Sequence, residues 1–302
     1  QVGEMSILEE IARPDIVIIT MIGPSHLAML GSLDGVATEK AKLIAKGRGH
    51  ELVVFPDSCL EYEVFKEIST TFCITSCVDR DDKIGNLPSS NIQYCIDRCV
   101  DLGCEVLCND VKDLRMHYTF PFNSKGLISN TILALVVARY LDISPESLQR
   151  DLIKWRPSDH RGCWIKNEKK IIYDDCYNAN PSSMLEALQI FLHSVSDVLP
   201  RLYVLGDMKE LGDDSKYWHE KIGSSIHLRK KDQIFLIGDM AEYYLNGLLE
   251  VHNNKSQVSM YANVADASLS ISSFEGCIFV KGSRSIKLEQ LFSGKETQCL
   301  AI

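Results

Sequence analysis

The sequence predicts an α/β protein of two domains, and three observations carry that expectation. Its 302 residues exceed one ordinary hydrophobic core. Beyond residue 162, short apolar runs alternate with helical stretches, as in a right-handed, doubly wound sheet. Residues 156–162, Arg-Pro-Ser-Asp-His-Arg-Gly, form a polar, turn-rich linker between the halves.

In the first half, residues 6–12 read as a short helix stopped by Pro14, and 16–20 as an apolar strand of the parallel-sheet kind. A loop carrying Gly23, Pro24, Ser25 and His26 leads to a helix over 33–46. Residues 52–55, 72–77 and 104–108 read as strands and 58–70 as helical. The stretch 79–90, rich in Asp, Gly, Asn and Pro, reads as a surface loop. A strongly apolar helix is expected over 129–141. Ser144-Pro145-Glu146 then offers an N-cap and a first-turn proline for a helix to Trp155.

In the second half the strands fall at 171–174, 202–205, 234–237 and 278–280, with helices near 181–196, 214–230, 239–250 and 264–273. Two strands end in Gly-Asp-Met, at 206–208 and 238–240. Strand carboxyl ends are where open α/β sheets bind ligands. For the second copy, plain strand-to-helix turn chemistry is the preferred reading.

Composition narrows the function classes. Apolar residues make up 45% and charged residues 24%, a globular balance, and the net charge of −9 argues against a nucleic-acid or membrane-surface binder. No apolar run is long enough to span a bilayer, and the first residues lack the order of a signal peptide. Among the eleven cysteines, Cys73 and Cys77, Cys95 and Cys99, and Cys104 and Cys108 are spaced by three residues. Zinc knuckles are usually tighter, so free buried thiols in a reducing compartment are expected rather than a metal or disulfides. Neither G-x-G-x-x-G nor G-x-x-x-x-G-K-[ST] occurs.

Four segments carry candidate chemistry. The first is Gly23-Pro-Ser-His-Leu27 with residues 31–40, where a loop histidine follows a strand. The second is the polar run 173–184, whose asparagines and aspartates also suit turns and caps. The third is 205–212 with His219 beyond it. The fourth is Val280-Lys-Gly-Ser-Arg284, a basic turn able to face an anion.

In this order the segments resemble the Mur ligases, and within them the type that adds a dipeptide. Asp-Asp-x-Tyr-Asn-Ala-Asn-Pro is met at 174–181, Gly-Asp-Met-x-Glu-Leu-Gly at 206–212 and Lys-Gly-Ser-Arg at 281–284. Upstream, Gly3-Glu4-Met5, Arg13-Pro14-Asp15, Ser25-His26-Leu27 and Gly31-Ser32 also match, so the resemblance covers nearly the whole chain. It implies a partial central parallel-sheet domain of ATPase type over 1–155, then a Rossmann-like C-terminal domain over 156–302. It implies an amide ligase that uses ATP and Mg2+ to join D-Ala-D-Ala to UDP-MurNAc-tripeptide through an acyl phosphate. A cytoplasmic monomer is implied, or a stromal one in a plastid-bearing source, without nucleic-acid or membrane partners.

The resemblance also assigns roles. His26 and Lys40, the latter as a carbamate, match the catalytic metal ligands; a hard cation prefers the carbamate oxygen to an ammonium. Asn130, Arg161, Asp175 and Tyr177 match nucleotide-binding positions. Asn178, Asn180, Lys281, Ser283 and Arg284 are the candidates for the peptide substrates, with an arginine fork suited to a carboxylate.

Departures limit the match. Gly126 and Leu127 replace a histidine and an asparagine of the family segment ahead of Asn130, and Lys42 stands where glutamate is frequent. The family's UDP-binding domain, Gly-Lys-Thr loop and magnesium-binding glutamate are expected ahead of Gln1, so this chain alone is not expected to turn over ATP. The competing readings are a non-catalytic binding module and another superfamily ligase, such as one extending folate with glutamate.

Overall fold

The computed structural model describes residues 2–24, 27–44, 49–67, 72–78, 91–100, 103–109, 115–166, 169–252 and 255–292. The loop read over 79–90 lies outside them. The chain divides into two compact units, Gln1–Trp155 and Arg156–Ile302.

The first unit runs α1 (Glu4–Ala12), β1 (Ile16–Ile18), α2 (Leu27–Leu30), α3 (Leu33–Ala41), β2 (Leu52–Pro56) and α4 (Glu63–Lys66). It continues through β3 (Phe72–Cys77), β4 (Asn91–Val100), β5 (Gly103–Asn109), β6 (Arg115–Phe120), α5 (Lys125–Tyr140) and α6 (Pro145–Leu152). The six strands form one sheet in chain order. Its first four strands pair in parallel, whereas β4, β5 and β6 pair antiparallel. Side-chain alternation builds two cores. Leu52 and Val54 join Tyr118, Phe120, Ile128 and Leu133 on the α5 face. Val53 and Phe55 turn to Ala37, Ala41 and Phe65 on the other.

Two expectations change here. The region 58–70, read as helical, holds among its described residues a 3-10 turn at Asp57–Glu61 and the single turn of α4. Helix α5 starts ahead of the predicted 129, because Ser124 caps it by accepting the Leu127 N–H at 3.1 Å. At α6 the Ser144 cap and Pro145 stand as read.

The second unit runs β7 (Cys163–Lys166), β8 (Lys170–Asp174), α7 (Pro181–Ser194), β9 (Arg201–Gly206), α8 (Ser215–Ser224) and β10 (Gln233–Ile237). After these come α9 (Ala241–Val251), β11 (Val258–Tyr261), α10 (Val264–Ser273) and β12 (Gly276–Lys281). The sheet order is β11-β10-β9-β12-β8-β7. All neighbours are parallel except the β7–β8 hairpin. The last parallel strand thus returns to lie between β8 and β9, a reversal of winding direction of the kind that opens a ligand crevice. On one face Leu202, Val204, Ile278 and Val280 pack with Ala267 and Ile271 of α10. On the other, Phe191 of α7 meets Tyr203 and Phe279 at ring-centroid separations of 5.8 and 5.5 Å. Helices α8 and α9 touch through Gly223 and Gly247, where a Cβ would overlap the facing backbone of Tyr244 or Glu220.

The cysteine spacing now has a plain cause. In β5, Cys104, Val106 and Cys108 are the alternate inward positions, all buried. Among the described residues eight cysteines are free thiols, as expected; Cys163 departs from that expectation, being disulfide-bonded.

Candidate functional site

Each unit holds part of the predicted set. In the first, Lys40 lies near the end of α3, half-buried, and its ammonium donates to the Met21 carbonyl at 2.6 Å. Burial holds that ammonium below its ordinary range, only partly opposed by the nearby Cys59. Asn130 stands on the exposed side of α5. His26 lies outside the described residues.

The Lys42 departure leaves less excess charge beside Lys40 than the sequence suggests. Its ammonium meets Glu39 Oε2 at 2.6 Å, and Glu39 Oε1 accepts the Met5 N–H at 3.0 Å at the start of α1. Burial would raise the Glu39 carboxyl, but the hydrogen bonds from Gly3, Lys42 and Met5 outweigh it and bring it down to about 2.

The second unit gathers most of the candidates at the carboxyl ends of β8 and β12. The chain leaves β8 through two aspartates facing opposite ways. Asp175 turns to Lys281, whose ammonium donates to its carboxylate at 2.5 Å and also to the carbonyls of Asn178 at 3.1 Å and Asp175 at 3.3 Å. Burial raises the Asp175 carboxyl against the opposing pull of Lys281. Lys281 is itself only 2% exposed. Its charge therefore clamps the β8–α7 turn, where the sequence suggested a cation facing substrate. Ser283 is likewise turned inward: its hydroxyl oxygen accepts the Lys209 N–H at 2.9 Å, tying the turn after β12 to the turn after β9.

What faces outward is a cation–aromatic cluster. Tyr177 is 43% exposed, with the Arg161 guanidinium 3.9 Å and the Arg284 guanidinium 5.7 Å from its ring centroid. Arg284 also approaches Glu289 at 3.4 Å. Asn178 is exposed, with its amide oxygen accepting the Ala179 N–H. Asn180 caps α7 in a reciprocal pair with Ser183, which is the turn-and-cap role its residue type also allowed. The strand ends thus unite Arg161, Asp175, Tyr177, Asn178, Lys281 and Arg284, with two exposed guanidiniums over one ring available to an anionic ligand.

Behind this cluster the turns are built from groups to which sequence reasoning gave no role at the site, although it marked the segment 205–212 and His219. Asp207 is fully buried and accepts the backbone N–H groups of Asp239 and Met240 and the Lys209 ammonium. His219 is also fully buried, and burial lowers its pKa, keeping it neutral. Its Nδ1–H donates to the Ser215 carbonyl at 2.6 Å, and its Nε2 accepts the Met208 N–H at 2.9 Å. His160, in the linker, donates from Nδ1 to Asp174 Oδ2 at 2.7 Å. The signals were present, since Asp174 is the first of two consecutive strand-end aspartates and His160 adjoins Arg161.

One unit is thus doubly wound with basic strand-end turns, and the other is a sheet-and-helix unit holding a lysine of depressed basicity. The Mur ligase middle domain matches residues 1–138, and the Mur ligase glutamate ligase domain matches residues 160–284. The chain belongs to the Mur ligase family. It is 28% identical over 294 residues to the UDP-N-acetylmuramoyl-tripeptide–D-alanyl-D-alanine ligase of Bacillus subtilis (strain 168), a match covering 96% of this chain and 61% of that relative. A crystal structure of MurF from Acinetobacter baumannii shares the fold with a TM-score of 0.76 at 23% identity, over 97% of this chain and 62% of that one. MurF ligase from Thermotoga maritima in complex with ADP does so at 0.74 and 18%, over 97% and 64%. The chain therefore spans less than two thirds of the length of these relatives.

Proposed function

We propose that the chain provides the central and C-terminal parts of a ligase that joins D-Ala-D-Ala to UDP-MurNAc-tripeptide at the expense of ATP, working as a monomer in the cytoplasm. The observation that carries this reading is the guanidinium pair over Tyr177, on a turn locked by Lys281, within the motif order described above. A carboxylate is a poor electrophile until one oxygen becomes a phosphate leaving group, so the site must hold several anions close together. Arg161 beside the tyrosine ring suits the nucleotide, with Asp175 and Tyr177 as its other contacts in this unit; Asn130 is the nucleotide candidate of the first unit. Arg284 suits a substrate carboxylate, with Asn178 beside it; Asn180, Lys281 and Ser283 serve this subsite by shaping its turns.

The donor chemistry around Lys40 fits a carbamate, since only a neutral amine takes up carbon dioxide and burial depresses this ammonium. Lys40 in that form and His26 would hold a magnesium ion, whose charge would screen the crowded phosphate and carboxylate oxygens.

The test is phosphate release by the product of the complete reading frame. Release should require both UDP-MurNAc-tripeptide and D-Ala-D-Ala, and Arg161→Ala should raise KM for ATP. Release that is indifferent to the dipeptide overturns the substrate assignment.

A further inference from the structure

His160, Asp174 and Cys176 each offer one metal-ligating atom, and these atoms lie within 4.8 Å of one another. None of the three is assigned above to nucleotide, magnesium or peptide. Asp174 is the hub: one carboxylate oxygen accepts from His160 Nδ1 at 2.7 Å, and the other accepts the Cys176 backbone N–H at 3.3 Å. Asp174 and Cys176 are buried, whereas the His160 side chain is 24% exposed and leaves one side of the cluster open to water.

We propose that His160, Asp174 and Cys176 bind a zinc ion that ties the linker carrying Arg161 to the turn carrying Tyr177. Imidazole nitrogen, thiolate sulfur and carboxylate oxygen form a donor set for zinc, while magnesium and calcium take oxygen donors. Two anionic donors neutralise the dication, so the buried site carries no net charge. Zinc bonds of about 2.0–2.3 Å put tetrahedral ligand atoms about 3.3–3.7 Å apart. The 2.7 Å pair must open, and the widest pair, at most 4.8 Å, must close, each by about 1 Å. Rotation of the partly exposed His160 ring supplies most of that change. On binding, the Cys176 S–H bond breaks, sulfur bonds to zinc and the proton goes to solvent; the ligating His160 nitrogen donates its lone pair, its proton residing on the other ring nitrogen. Water completes the coordination.

The consequence is local. His160 immediately precedes Arg161, and Cys176 immediately precedes Tyr177. The two segments already meet through the Tyr177 N–H, which donates to the His160 carbonyl at 2.9 Å. Zinc would add a second tie and hold the guanidinium–ring spacing. The site does not depend on which substrates the ligase uses.

The test is cobalt and zinc titration of the chelator-stripped chain. One equivalent of Co2+ should give a sulfur-to-cobalt charge-transfer band that Zn2+ removes, and Zn2+ should raise the unfolding temperature. Cys176→Ser should abolish the band, and His160→Gln should weaken both ions at least about tenfold. Cys77→Ser, at an exposed free thiol, should change neither. No band in the wild-type chain, or a band that persists in Cys176→Ser, overturns the proposal. If Cys176→Ser does not fold, unchanged zinc affinity in His160→Gln overturns it equally.

Discussion

Residues 206–208 and 238–240 carry the same Gly-Asp-Met tripeptide at the ends of adjacent parallel strands, yet the two aspartates live in opposite environments. Asp207 is fully buried with three donors on its carboxylate, while the Asp239 side chain is 85% exposed and approaches Lys209 at 3.8 Å. The glycine decides it. Gly206 is still strand, paired with Ile237, so Asp207 continues into the sheet's end. Gly238 takes a φ of +118° and turns the chain a residue earlier, which swings Asp239 to solvent and aims two backbone N–H groups at Asp207. One copy therefore caps the other, and identical sequence gives a buried cross-link in one place and an exposed turn in the next.

That contrast can be broken by mutation. Asp207→Ala removes the acceptor for two N–H groups and an ammonium and should cost about 3–5 kcal/mol, while Asp239→Ala should stay within about 0.5. Denaturant unfolding of the two variants measures both, and equal losses would refute the division of labour. Next in size is His219→Ala, which strands the Met208 N–H and empties a fully buried ring site, and should cost about 2–4 kcal/mol.

His219 also predicts a pH effect. Because its folded pKa lies below the ordinary 6.5, the unfolded chain binds the proton first. Stability should fall as pH drops below 6.5, and a melting series should show His219→Ala losing that part of the acid sensitivity.

Gly238→Ala forces a side chain into the left-handed region and brings a Cβ to 2.5 Å from Asp207 Oδ1, for a loss of about 1–3 kcal/mol in the same unfolding assay. The smallest effect belongs to the other unit, where no such doubled turn exists among the described residues. Glu39→Gln should cost about 0.5–1 kcal/mol at neutral pH. The Glu39 contribution is complete above its ordinary 4.5 and is lost as pH falls through about 2, so acid titration of the melting temperature should show the wild type and the variant converging.

Legibility in the sequence followed burial on two faces. Strands β8, β9, β10 and β12 are nearly continuous apolar runs and could be read directly. Strands β4 and β6 were missed because neither is a continuous apolar run; in β6 exposed His117 and Thr119 alternate with buried Tyr118 and Phe120. Strands β7 and β11 were missed because edge strands are short and carry polar residues. Of the candidate site, Arg161, Tyr177 and Arg284 do stand outward together, but Lys281 and Ser283 could not be told from them by residue type.

The sequence by itself determined the family, through ordered short motifs, and the two-unit α/β plan, through the spacing of apolar runs and turns. Tertiary structure alone decided which charges are available. Asp175 and Lys281 are separated by 106 positions and become partners only when β12 inserts beside β8. A local motif specifies what a side chain can do, while its long-range neighbours determine whether water, a ligand or the protein's own backbone receives it.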